Sequence, residues 1–139
     1  MGEQSQYKHD VFVCYSQYDQ AWVWGALLPR LKEAGLQVMI DSDFEIGVPI
    51  QVNIERAVDG SRYTIVVLTR AWLESEWTEF ESLLVSNGDV AARKQKLLPL
   101  MLSPCQPPTR IAMLTYADFT NPLNYERQFQ RLLQRLRGN

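Results

Sequence analysis

The chain alternates short apolar runs with longer stretches in which apolar residues recur every three or four positions. Five runs are rich in β-branched, aromatic or leucine residues: DVFVCY (Asp10 to Tyr15), LQVMI (Leu36 to Ile40), YTIVVL (Tyr63 to Leu68), LLPLML (Leu97 to Leu102) and YADF (Tyr116 to Phe119). Most lack polar alternation, which predicts strands covered on both faces. The intervening stretches read as helices. In QAWVWGALLPRLKEAG, Trp22, Ala26, Leu27 and Leu31 share a face and Gly35 marks the stop. Pro29 removes a backbone donor within it and predicts a bend. IQVNIERAVDGS repeats Ile50, Ile54 and Val58 at helical spacing. Around SEWTEFESLL, Leu73, Trp77, Phe80 and Leu84 form the inward stripe, Glu79 points away from it, and Glu81 lies at its margin one turn after Trp77. The last helix has Asn121 as N-cap, Pro122 at its first position, and Phe129, Leu132, Leu133 and Leu136 as its buried stripe.

Strand and helix therefore alternate along the whole chain. That order predicts an α/β domain with a flavodoxin-like, five-stranded parallel sheet flanked by helices on both faces. One such domain spans 10–137, behind an N-terminal tail of 1–9. The fourth crossover, SPCQPPTRIAML, is rich in loop formers and has room for a short helix only. In this architecture ligands sit outside the carboxyl ends of the strands, where the strand order reverses. The segments to search are Tyr15 to Asp19, Asp41 to Pro49, and Thr69 to Glu81.

A length of 139 residues with 46% hydrophobic and 22% charged residues fits one domain with its own core. A formal charge of −2 offers no attraction to nucleic acid or an anionic membrane. The two cysteines lie far apart, Cys14 in an apolar run and Cys105 in a proline-rich turn, so they read as a core thiol and a loop thiol. With His9 as the single histidine, neither a Ser/His/Asp triad nor a histidine-based zinc site is indicated, and no metal is expected. The N-terminus has no apolar signal core, and no apolar run approaches the ~20 residues of a membrane span, so a cytoplasmic protein is expected. The basic series Arg127, Arg131 and Arg135 reads as a solvated stripe.

Several occupants of this architecture are excluded by their missing residues. The third strand ends in Leu68-Thr69-Arg70, without the aspartate a phosphoacceptor needs, and the first loop, SQYDQ, has neither a flavin phosphate cradle nor a glycine-rich nucleotide motif. The loop DSDFEIGVP exceeds the usual two to six residues of such connections. Phe44 at its centre is too apolar for an idle loop, and Gly47 and Pro49 bracket a turn, which together suggest a mobile flap or an interface.

Four boxes in order, HDVFVCYSQYD, VMIDSDFEIGVPI, AVDGSRYTIVVLT and SEWTEFE, resemble Toll/interleukin-1 receptor (TIR) domains of prokaryotic type across nearly the whole chain. The resemblance implies an NAD+ glycohydrolase, with NAD+ as substrate and no separate cofactor. In that family a Glu four residues after a Trp is the catalytic residue, which makes Glu81 catalytic and Trp77 its neighbour. By the same pattern Tyr15 and Ser16 line the nucleotide site, and Asp41, Phe44 and Gly47 belong to the flap. The resemblance further implies self-association through the 41–49 loop into a homo-oligomer or filament, a fused or partner sensor or effector domain, and a role in antiphage or NAD-depletion signalling.

The chemistry is consistent with that reading. Nicotinamide leaves NAD+ as a neutral base, so no general acid is required, and one carboxylate suffices to stabilise the sugar cation. Water attack gives ADP-ribose, and internal attack gives a cyclic isomer. No glycine-rich cradle is available for the diphosphate, which leaves helix-start N–H groups, Arg62, Arg70 or a neighbouring subunit to meet its charge. The alternative is a non-enzymatic adaptor or host-signalling mimic, in which the flap is a docking surface and Glu81 a surface acid beside a core Trp.

Overall fold

The computed structural model describes residues 7–85 and 90–137. Its strands are β1 (His9–Cys14), β2 (Val38–Met39), β3 (Ser61–Leu68), β4 (Leu97–Met101) and β5 (Ala117–Asp118). All pair in parallel, in the order β2-β1-β3-β4-β5, so the strand order reverses at β1. Val11 in the central register faces Val38 on one side and Tyr63 on the other. β1 starts one residue earlier than the apolar run suggests, and Lys8 N–H already donates to Gly60 O at 2.8 Å. Residues 1–6 of the expected tail lie outside the described residues.

Helices cover both faces. α1 (Gln20–Trp22) runs through a π turn, Val23–Leu27, into α2 (Leu28–Glu33). Leu28 N–H reaches back to Val23 O, a widened turn directly before Pro29. Proline cannot donate and its ring crowds the carbonyl four residues earlier, so the backbone widens rather than breaks. α3 (Ile50–Gly60) leads into β3, which is followed by α4 (Arg70–Ser75), α5 (Trp77–Leu84) and α6 (Val90–Gln95). α7 (Thr109–Ala112) is the short helix of the fourth crossover, and α8 (Tyr125–Leu136) closes the fold after a 3-10 turn at Pro122–Asn124 capped by Asn121.

Two cores result from the strand alternation. Val11, Val13 and Tyr15 of the β1 segment join Ile65 and Val67 of β3 against Leu27, Leu31, Phe129 and Leu133. Phe12 and Cys14 join Val66 and Leu68 against Val58, Trp72, Phe80 and Leu84. Both faces of β1 and β3 are thus covered, as the unbroken apolar runs predict. Among the described residues, no helix is long and apolar enough to cross a membrane.

Candidate functional site

The reversal of strand order opens a small cleft at the carboxyl end of β1. It encloses about 180 Å³ between the first loop, the 41–49 flap and the start of α3. Tyr15, Gln17, Asp41, Phe44, Ile50 and Glu76 are the side chains that give it character, over a floor that includes Cys14. Two carboxylates and three aromatic rings line it, and its described lining holds no lysine or arginine.

Tyr15 organises the near wall. Its hydroxyl donates to Asp41 Oδ1 at 2.8 Å and accepts from Trp24 Nε1 at 2.8 Å. Gln17 Nε2 donates to Asp41 Oδ2 at 2.7 Å, so both oxygens of Asp41 are engaged in holding the flap to the first loop. Burial, and then the Asp41 carboxylate, hold the Tyr15 phenol up at about 12. Burial likewise pushes the Cys14 thiol up to about 12, with Glu76 and Asp41 adding their negative charge, so Cys14 is a protonated core thiol rather than a nucleophile.

The flap is anchored rather than loose. Asn53 of α3 is buried; its Oδ1 accepts from Glu45 N–H at 3.0 Å and its Nδ2 donates to the carbonyls of Glu45 and Val48. Gly47 at the tip has φ +88°, a conformation that side chains with a Cβ rarely adopt. Phe44 turns inward against Phe12, with ring centroids 6.0 Å apart, while Ile46 is 98% exposed.

The expected site residues divide into two groups. Tyr15, Asp41 and Phe44 meet in the cleft. Ser16, Gly47, Trp77 and Glu81 are not part of its lining. Ser16 is buried and its Oγ accepts from Tyr18 N–H at 3.2 Å, capping the turn Gln17–Asp19. Trp77 packs on Trp72, ring centroids 5.9 Å apart. Glu81 is 41% exposed and its Oε2 accepts from Arg110 Nε of α7 at 3.2 Å. Arg62, near the start of β3, lies at the end of the sheet opposite the cleft, and Arg70 is exposed beside Glu74.

Glu76 is the acid the cleft presents, and helical periodicity misses it. A single wheel through 70–84 treats it as one more surface acid. In the structure the helix is interrupted there, with φ −114° and ψ −21° at Glu76, between the end of α4 and the start of α5. Ser75 Oγ lies 3.1 Å from Glu76 Oε2.

Comparison with known proteins places this geometry in context. The profile described as "TIR domain" matches residues 11–133. Toll-like receptor 13 of Mus musculus is 38% identical over 87 residues, which are 60% of this chain and 9% of the receptor. The NAD(+) hydrolase TcpA of Theionarchaea archaeon is 32% identical over 78 residues, 55% of this chain and 24% of that protein. The chain thus spans a quarter or less of the length of these relatives. Among solved structures, the TIR domain of the Toll-related receptor TRR-2 from Hydra magnipapillata superposes with a TM-score of 0.80 at 23% identity, covering 94% of this chain and all of that one.

Proposed function

Because the chain belongs to the TIR domain family, we propose that it cleaves NAD+ at the nicotinamide–ribose bond, with the nicotinamide end entering the cleft of Tyr15, Asp41, Phe44 and Glu76. The observation that carries this reading is the cleft's charge: carboxylates and aromatic faces without a cation suit a flat, positively charged ring. Nicotinamide attached to ribose is such a ring, and it leaves as a neutral base. A carboxylate beside the sugar then stabilises the cation that remains.

Glu81 is proposed for that role on its spacing from Trp77, and its ion pair with Arg110 must open for it to act. About 180 Å³ is less than the roughly 300 Å³ at which ordinary ligand pockets begin. It admits the ring and part of its sugar, and the rest of the dinucleotide lies along the surface or against a second copy. Self-association through the flap would supply that wall. The 32% identical archaeal relative is named as an NAD(+) hydrolase, which supports the assignment. Cleavage in the cytoplasm, to ADP-ribose or a cyclic isomer, would serve NAD-depletion or second-messenger signalling such as antiphage defence.

The test is chromatography of nicotinamide released by concentrated protein, compared with Glu81→Gln and Glu76→Gln. Loss in Glu81→Gln with an intact fold supports the reading. Loss in Glu76→Gln alone transfers the role to the cleft acid. Equal NAD+ consumption in all three, or none in any even when clustered, ends it.

A second reading has an observation of its own. Ile46, exposed on a flap fastened by Asn53, forms a pre-organised apolar tip of the kind that docks on another domain. Receptor relatives such as Toll-like receptor 13 are consistent with it. Under this reading Ile46→Asp abolishes self-association in sedimentation while NAD+ is never consumed.

A further inference from the structure

A second concave site lies at the other end of the molecule, beside the short edge strand. β5 pairs with Leu100 and Met101 only, so the first half of β4 has no strand neighbour on that side. The space left, about 270 Å³, is bounded by β4, the segment before β5, and the second half of α8. Leu98, Leu100 and Leu132 form its apolar floor, and Thr115, Arg131 and Arg135 supply polar groups at its rim. Half-exposed Tyr116 adds an aromatic wall.

The groove carries two guanidinium groups at its rim. Arg30, Arg56, Arg70, Arg93 and Arg110 each pair with a carboxylate. Arg131 Nη1 instead donates to the neutral Gln128 Oε1 at 2.9 Å, and Arg135 Nη1 to Tyr63 OH at 2.8 Å. Arg62 and Arg135 also lie over the Tyr63 ring, 5.5 and 4.9 Å from its centroid. A chain of net charge −2 thus gathers guanidinium groups here without a carboxylate partner among the ion pairs of the described residues. A guanidinium has five N–H donors, so the one bond shown for each leaves most of its fork available. Residues four apart on a helix stand about 6 Å from each other, close enough for both to hold one anion.

The strand edge argues for a compact ligand rather than an extended peptide. Leu102 N–H donates to Leu68 O, and Phe119 N–H donates to Met101 O. These bonds set the alternation along β4, in which odd-numbered residues face the edge. Pro99 is therefore the edge-facing residue beside the groove, and it has no N–H to offer an added strand.

We propose that this groove binds a small phosphate monoester carrying a flat ring, the phosphate held between Arg131 and Arg135 and the ring against Leu98, Leu132 and Tyr116. The proposal is independent of the cleft at the carboxyl ends and of what that cleft cleaves. The test uses the whole chain, with adenosine 5′-monophosphate, inorganic phosphate and adenosine as probes in calorimetry and in amide NMR spectra. The monophosphate is expected to bind one to one and to shift the amides of Thr115, Ala117 and Leu132. Phosphate should bind there at least tenfold more weakly, and adenosine not detectably over the same range. Arg131→Gln leaves the Arg135–Tyr63 bond in place, and with an unchanged melting temperature it should weaken the monophosphate at least tenfold. Absence of saturable binding, affinity unaffected by Arg131→Gln, equal affinity for monophosphate and phosphate, or shifts confined to Tyr15, Asp41 and Glu76 would each overturn the proposal.

Discussion

Arg110 Nε donates to Glu81 Oε2 across 3.2 Å, joining α7 to α5 and occupying the carboxylate that the spacing from Trp77 singles out. Both side chains are about 40% exposed, so the pair adds little to stability, roughly 0–1 kcal/mol. Its consequence is to place a counter-charge on that carboxylate. If Glu81 is the catalytic group, Arg110→Ala should raise nicotinamide release severalfold at equal protein concentration, while the melting temperature moves by a few degrees at most. Should Arg110→Ala instead abolish release together with Glu81→Gln, Arg110 holds substrate rather than restraining the acid.

The flap depends on one buried amide. Asn53 satisfies both backbone groups of Glu45 and the carbonyl of Val48, and Asn53→Ala would leave all three to water or to nothing. A cost of about 1–3 kcal/mol is expected, concentrated in the flap. Limited proteolysis should therefore cleave near 45–48 much faster in the variant than in the parent, before global unfolding sets in. Equal cleavage rates would mean that Phe44 against Phe12 is enough to hold the loop.

The fold was legible because both faces of β1 and β3 are covered, which writes them as unbroken apolar runs. β2 and β5 are two residues each, shorter than LQVMI and YADF suggest, because they are edge strands with a single partner. At the cleft, the segments holding Tyr15, Asp41 and Phe44 are legible from the rule that ligands gather where strand order reverses, and the residues themselves from the resemblance to TIR domains. Glu76 was not, because a helical wheel assumes a continuous helix and the break falls on that residue. A serine after a strand can meet a ligand or cap a turn, and the Ser16 Oγ caps the turn here. Trp24 was not singled out because its bond to Tyr15 is a tertiary contact with no local signature.

Tyr15 gives the cleft a measurable alkaline signature. The folded phenol is held at about 12, by burial first and by Asp41, whereas an unfolded tyrosine titrates near ~10. Between those values the folded chain keeps a proton that the unfolded chain has lost, so stability is full below about pH 10 and falls as pH rises toward 12. Tyr15→Phe removes that slope. It should also cost about 1–2 kcal/mol at neutral pH, because Trp24 and Asp41 each lose a partner. Ultraviolet titration of the parent should show a phenol that ionises late, and this late step should be missing in the variant. The same late step in parent and variant would contradict the network.

Arg93 carries the largest expected loss of stability. It is 4% exposed, and its fork grips both oxygens of Asp59 at 3.0 Å while further N–H groups donate to Glu55 and to the carbonyl of Leu83. One side chain thereby fastens α6 to α3 and to the end of α5. Removing a partner from a buried pair costs about 3–5 kcal/mol when the other charge is stranded. Here Asp59 and Glu55 are each more than 40% exposed and can regain water, which places the loss for Arg93→Ala near the lower end, about 3 kcal/mol. That is a large fraction of the 5–15 kcal/mol typical of a domain. Urea titration should show a lower midpoint at unchanged slope, with hydrogen exchange faster first in α6. A shift below about 1 kcal/mol would mean that α6 is held by its apolar contacts and that the guanidinium is incidental.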